Sequence, residues 1–142
     1  MSDKKQVLFI CRHNAGRSQM GEAVLNHRYG NRYEAYSAGI NPSPEINPNT
    51  IEVLKESGID ISEKKPKSLD LFMEKTFDTV VFTCECEGKC PALPKSRVLI
   101  RKMFDDPSLF SGSKEEILKG FRGVLTDISE WIDENFAGEA EL

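Results

Sequence analysis

Four apolar residues in a row, Val7-Leu8-Phe9-Ile10, run straight into Cys11-Arg12-His13-Asn14-Ala15-Gly16-Arg17-Ser18, and this junction constrains the fold more than any other stretch. An unbroken apolar run of that length reads as a strand covered on both faces, as in a parallel sheet. From Ser18 to Tyr29, residues Met20, Ala23, Val24 and His27 recur at helical spacing, and Gly30 marks the stop. The loop in between curls its N–H groups, with the positive end of the helix dipole, around one point. Cys11 stands at the floor of that cradle, where the surroundings favour thiolate over thiol. The planar fork of Arg17 is suited to clamping a tetrahedral oxyanion through two parallel hydrogen bonds. Asn14 and Gly16 tolerate positive φ, which turns successive N–H groups inward. Arg12, His13, Ala15 and Ser18 complete an oxyanion-binding loop, and hydrolysis or reduction of an oxyanion is the chemistry to expect. A bare Cys-x5-Arg arises by chance in many chains; the strand before it and the helix after it supply the context.

Past Gly30, the alternation Tyr33-Glu34-Ala35-Tyr36-Ser37 predicts a second strand ending at Ala38-Gly39. Two prolines in Asn41-Pro42-Ser43-Pro44 forbid a helix interior there. Asn47 then caps a helix with Pro48 in its first turn and Gly58 at its close. Ser68 caps a short helix carrying Leu71, Phe72 and Phe77, while Thr79-Val80-Val81-Phe82 and Val98-Leu99-Ile100 read as a third and a fourth strand. The last long helix opens at Ser113, whose spacing to Glu116 makes a capping box. It is expected to bury Ile117, Phe121, Leu125, Ile128, Ile132 and Phe136, with Trp131 on the flank of that stripe. Strands separated mostly by helices predict an α/β fold, a four-stranded parallel sheet with helices on both faces. The 142 residues contain no internal repeat, low-complexity tract or linker, so residues 1–142 are read as a single domain.

In such a sheet ligands sit outside the carboxyl ends of the strands. Cys11 follows the first strand and Cys84 the third, so both belong on one edge, and Asp105-Asp106-Pro107 follows the fourth. A net charge of −4, from 19 basic and 23 acidic residues, supplies no basic footprint for nucleic acid. No run approaches the ~20 apolar residues that span a bilayer, and the N-terminus leads into an apolar run too short for a signal peptide. The expected location is therefore cytoplasmic, where four cysteines point to catalysis, redox exchange or metal rather than to a disulfide scaffold. Cys84, Cys86 and Cys90 offer three zinc-type ligands, yet the loop has no histidine and no second Cys-x2-Cys pair, so no metal and no cofactor is assigned.

The stretch Cys11 to Met20, with Asn14 and Arg17-Ser18-Gln19-Met20, resembles the active-site loop of the low-molecular-weight protein tyrosine phosphatase superfamily, which includes phosphatases and arsenate reductases. Cys84 and Cys90 are similar to the resolving pair of its thioredoxin-coupled arsenate reductases. Ser37-Ala38-Gly39, Cys90-Pro91-Ala92-Leu93-Pro94 and Phe104-Asp105-Asp106-Pro107 extend the resemblance over essentially the whole chain. There are departures. Cys84 and Cys90 stand one residue closer than in the better-known members, and Cys86 is an extra thiol. Asn14, Glu22 and Ser37 match the potassium site of some members, but Leu69 replaces its aspartate, so that cation is not expected. Ser108-Leu109-Phe110 follows Pro107 where the phosphatases usually carry tyrosines.

The resemblance implies that arsenate, with phosphate as its analogue, is held by the loop and Arg17 and attacked by Cys11 while Asp106 supplies a proton. Cys84 and then Cys90 would carry the disulfide onward to thioredoxin or a similar dithiol. Two other readings stay open: a tyrosine phosphatase using Cys11, Arg17 and Asp106 alone, and a non-catalytic metal or redox sensor built on Cys84, Cys86 and Cys90.

Overall fold

The computed structural model describes residues 4–83 and 92–137. Strands β1 (Lys5–Cys11), β2 (Tyr33–Gly39), β3 (Thr76–Phe82) and β4 (Lys95–Arg101) are interleaved with helices α1 (Arg17–Tyr29), α2 (Pro48–Glu56) and α3 (Lys114–Phe136). All strand pairs are parallel, in the order β2-β1-β3-β4. The chain steps outward from β1 to β2 and then crosses back to β3, so the order reverses beside β1. That reversal opens a crevice at the carboxyl ends of β1 and β3, the usual place for a ligand in such a sheet.

The apolar run of β1 is covered on both sides, as its sequence predicts. Val7 and Phe9 face the core shared with α1, α2 and α3; Leu8 and Ile10 face the opposite core; none is more than 1% exposed. The first core takes Met20, Val24 and Leu25 from α1 and Phe121, Ile128 and Ile132 from α3. Helices were expected on both faces, but among the described residues the second face is closed by the 3-10 turn Leu69–Phe72 and by Leu93. A 3-10 turn repeats every three residues, so Leu69 and Phe72 point inward together while Leu71 is 68% exposed. Phe77 lies in β3 rather than in that turn.

Local signals in the chain set most of the boundaries. The Asn47 side chain accepts from Asn49 N–H, Gly58 takes φ +83° just past α2, and Ser68 accepts from Asp70 N–H. Ser113 and Glu116 form the reciprocal capping box, each bond at 3.1 Å. Along α3, Leu118 and Val124 join the expected stripe, and Ile117 is only half-buried. Trp131 packs edge-on against Phe104 and Phe136, with ring centroids 6.0 and 5.9 Å away. His27 is exposed on α1. Among the described residues no helix is long and apolar enough to cross a membrane.

Ile132 has no exposed surface and belongs to the core that α3 shares with α1, α2 and the sheet. Ile132→Ala is expected to lower unfolding free energy by about 2–5 kcal/mol, through lost burial and the cavity left behind. Urea unfolding followed by circular dichroism measures this, and a loss under ~1 kcal/mol would show that the helix repacks.

Candidate active site

β1 delivers Cys11 to the carboxyl edge of the sheet and α1 begins six residues later, at Arg17, so residues 12–16 form a tight connection. The carbonyls of that connection are tied outward. Cys11 O accepts from Ile40 N at 3.1 Å, Arg12 O from Asn41 N at 2.7 Å, His13 O from Ser43 N at 3.0 Å, and Ala15 O from Asn47 N at 3.1 Å and Thr50 Oγ1 at 3.0 Å. A trans peptide points its N–H away from its C=O, so fixing these carbonyls on segment 40–50 turns the N–H side toward the loop's interior. Asn14 alone among the non-glycine described residues has positive φ, at 52°. Gly16 was expected to share that conformation but has φ −143°, and a Cβ there would meet only ordinary contacts with Pro107 and Thr50. One left-handed residue is enough to curl this loop.

Asn14 is completely buried, and its amide is oriented by its partners. Its Oδ1 accepts from Lys67 N–H at 2.8 Å and from Gln19 Nε2 at 2.9 Å, which commits Nδ2 to Ser18 Oγ at 2.7 Å. With its oxygen accepting from Asn14, Ser18 is free to donate its hydroxyl proton to Cys11 Sγ, 2.9 Å away. A hydroxyl donor is thus aimed at the sulfur. Cys11 itself is buried and unbridged.

Arg17 is 7% exposed, with Nη1 donating to Phe104 O at 3.2 Å and to Thr83 O at 3.4 Å, and Nη2 lying 3.5 Å from Asp106 Oδ2. Cys11, His13, Arg17, Asp106 and Pro107 therefore surround a single cavity of about 30 Å³. Asp105 is exposed, whereas Asp106 is half-buried and caps the 3-10 turn Pro107–Leu109. Burial works to raise the Asp106 pKa, but hydrogen bonds from Ser108 and the electrostatic pull of Arg17, with a smaller one from His13, prevail and hold it below the ordinary carboxylate value. Asp106 is thus ionised at neutral pH in the free protein. The stabilisation this carries is complete above the unfolded carboxylate pKa of roughly 3.9 and is lost as pH falls through the lower folded value.

Thr83 closes the crevice. Its N–H and its Oγ1 both donate to Ile10 O at 2.8 Å, binding the end of β3 to the end of β1 beside Cys11. Cys84, Cys86 and Cys90 lie outside the described residues. Behind the cradle, Glu22 is 5% exposed; it accepts from Ser37 Oγ and pairs with Lys64 Nζ at 3.1 Å and Lys67 Nζ at 3.6 Å. Two ammonium groups thus balance the carboxylate that the sequence set beside a cation site. Gln19, Gly39, Thr50, Thr83 and Lys67 contribute to the site without a role assigned from the sequence. The legible signal for Gln19 and Thr50 is a polar residue at a position where the helix must be buried.

A buried thiol under inward N–H groups, an adjacent guanidinium and a carboxylate across the opening, all at a parallel sheet's switch point, define a cysteine-bearing oxyanion cradle of the phosphatase-loop type. Residues 6–134 match the low molecular weight phosphotyrosine protein phosphatase family, and the chain belongs to it. The arsenate reductase of Halalkalibacterium halodurans is 37% identical over 92% of this chain and 94% of its own length. The crystal structure of an arsenate reductase from Archaeoglobus fulgidus is similar at TM-score 0.75 and 30% identity, covering 90% of this chain and 96% of that one. A thioredoxin-dependent arsenate reductase of Corynebacterium glutamicum is similar at TM-score 0.62 and 35% identity, covering 93% of this chain and 63% of that one.

Gly39 leaves the cradle no slack, since a Cβ on it would lie 2.9 Å from both Asn14 N and His13 C. Gly39→Ala must push the loop backbone, so it is expected to cost about 1–3 kcal/mol of stability. Inorganic phosphate should bind that variant about tenfold or more weakly by isothermal titration calorimetry, as a loop shifted off its geometry loses hydrogen bonds of ~1 kcal/mol each. Unchanged phosphate affinity would separate the backbone of residues 13–14 from oxyanion binding.

Proposed function

We propose that this chain reduces arsenate to arsenite by a cysteine relay that starts at Cys11, passes through Cys84 and ends at Cys90. The observation that carries the reading is the anchoring of Thr83 to Ile10 O, because Cys84 is the next residue after Thr83 and Cys11 the next after Ile10. In sequence, one cysteine thus follows directly after each of the two anchored residues. The names of the relatives supply the substrate, and the thioredoxin dependence of the Corynebacterium protein supports a dithiol protein as the reductant. Phosphate is the non-reducible analogue. Reduction of this kind suits the cytoplasm, where thiols are kept reduced.

Arsenate enters the cradle on the loop N–H groups and Arg17. The Cys11 thiolate attacks arsenic, and one oxygen departs as water with a proton from Asp106. Asp106 starts ionised, but an oxyanion placed beside it opposes the pull of Arg17 and raises its pKa, so the carboxyl takes up a proton as substrate binds. The Cys84 thiolate then attacks the Cys11 sulfur. A disulfide forms, the As–S bond breaks with its electron pair going to arsenic, and As(V) leaves as As(III). Cys90 attacks the Cys84 sulfur, releases Cys11 as thiolate, and leaves a Cys84–Cys90 disulfide for thioredoxin or a similar dithiol to reduce.

The discriminating experiment measures arsenate-dependent oxidation of thioredoxin beside hydrolysis of an aryl phosphate. Arsenate turnover with little ester hydrolysis is expected; ester hydrolysis alone would instead favour the tyrosine phosphatase reading through Cys11, Arg17 and Asp106. Cys11→Ser should abolish both activities, because a serine hydroxyl stays protonated. Asp106→Asn should slow turnover by about a hundredfold or more, in the range for a lost general acid, and Asp105→Asn much less. An equal effect of the two would remove Asp106 from the mechanism.

Cys90→Ser tests the relay itself. It should permit one round and then accumulate the Cys11–Cys84 disulfide, visible by peptide mapping after one equivalent of arsenate, with Cys86→Ser nearly neutral. A dominant Cys84–Cys86 or Cys86–Cys90 bond in the wild-type protein would reassign the order of thiols.

A further inference from the structure

His13 lines the cavity together with Cys11, Arg17 and Asp106, and the mechanism above gives its side chain nothing to do. Its ring is nonetheless fixed. Nδ1 lies 3.0 Å from Asn41 O, and a carbonyl oxygen only accepts, so Nδ1 carries the proton. In the neutral ring, Nε2 is then an acceptor with no proton of its own. The backbone around it is equally held, through His13 O to Ser43 N at 3.0 Å and Arg12 O to Asn41 N at 2.7 Å. In that neutral form the ring offers Nε2 as an acceptor at the cavity it shares with Cys11, Arg17 and Asp106.

We propose that His13 Nε2 determines specificity by accepting a hydrogen bond from a hydroxyl of the bound oxyanion, selecting unesterified arsenate or phosphate over their aryl esters. The proposal rests on the oxyanion cradle put forward above and adds to it the class of ligand preferred. Inorganic arsenate and phosphate keep one hydroxyl near neutral pH, whereas a fully ionised aryl ester has none. The other groups at that cavity do not separate the two ligands. Arg17 and the loop N–H groups only donate, so they favour bare oxygens equally in both ligands. Asp106, protonated once the oxyanion is bound, offers a donor as well. A site that pairs with a substrate hydroxyl disfavours the analogue lacking it, because its acceptor is left without that partner.

Two substitutions separate this role from the bond to Asn41. In His13→Asn the amide nitrogen takes the place of Nδ1 and preserves the bond to Asn41 O, but nothing remains where Nε2 stood. In His13→Gln the longer side chain brings an amide oxygen back to the position of Nε2. The readout is protection of Cys11 from iodoacetamide, followed by peptide mass spectrometry at about pH 8, where an ordinary imidazole is neutral. The probes are inorganic phosphate and phenyl phosphate, so no turnover is needed.

His13→Asn should raise the phosphate concentration for half-protection about tenfold while phenyl phosphate stays within about twofold, and His13→Gln should recover most of the phosphate loss, as expected for one hydrogen bond. The phenyl phosphate arm also reports whether the cradle is intact. Equal losses for the two ligands, or no loss for either, overturn the proposal and leave His13 only its bond to Asn41. If phosphate fails to protect Cys11 in the wild-type protein, the cradle reading falls and this proposal with it. If phosphate protects and the His13 pattern holds while thioredoxin-linked arsenate reduction is absent, only the reductase reading falls.

Discussion

Everything at the carboxyl edge depends on how one amide is held. Asn14 Oδ1 takes a backbone N–H from Lys67 and a side-chain N–H from Gln19, and these two bonds decide which end of the amide faces Ser18. Were the amide reversed, an oxygen would face the Ser18 hydroxyl and draw its proton away from Cys11. The left-handed turn at Asn14, unfavourable for most side chains, is stabilised by the same bonds. The residue is therefore both the hinge of the loop and the source of direction in the chain of donors that ends on sulfur.

Those bonds reach across the sequence, which separates the legible part of the site from the rest. Cys11, Arg17 and the strand–loop–helix order are local, so their spacing alone discloses a cradle. The caps at Asn47 and Ser113 are also local and are formed as their sequence implies. Lys67 contributes through its backbone N–H, Thr83 through its N–H as well as its hydroxyl, and Gly39 through the absence of a side chain, each toward a partner far off in sequence. Gly16 shows the reverse error, since glycine permits positive φ without requiring it, and the turn is made elsewhere. Leu71 is grouped with Phe72 and Phe77 on a short helix by the sequence, but the segment is a 3-10 turn and the three-residue period leaves Leu71 exposed.

Charge at the site is arranged in two tiers. Near the opening, Arg17 faces the ionised Asp106, and the pair is loose enough, at 3.5 Å, for an anion to compete for the guanidinium. Behind the cradle, Glu22 is enclosed and shared by Lys64 and Lys67. The first tier borders the cavity, whereas the second joins segment 64–67 to α1. Since Lys67 also supplies the N–H that orients Asn14, the rear tier helps set the geometry of the front.

The sheet order has a consequence for motion. Cys11 ends an inner strand that is paired on both sides and covered on both faces. Such strands exchange their amides only when the whole molecule opens, while edges and surface turns open locally at far lower free energy. The strand that delivers Cys11 is thus expected in the slowest-exchanging part of the protein, and β4, at the edge, in a faster part. Fluctuations that unzip the edge leave the cradle assembled. A weakened variant would accordingly contain fewer competent molecules, each with the same thiol geometry, rather than a uniform population with a slackened site.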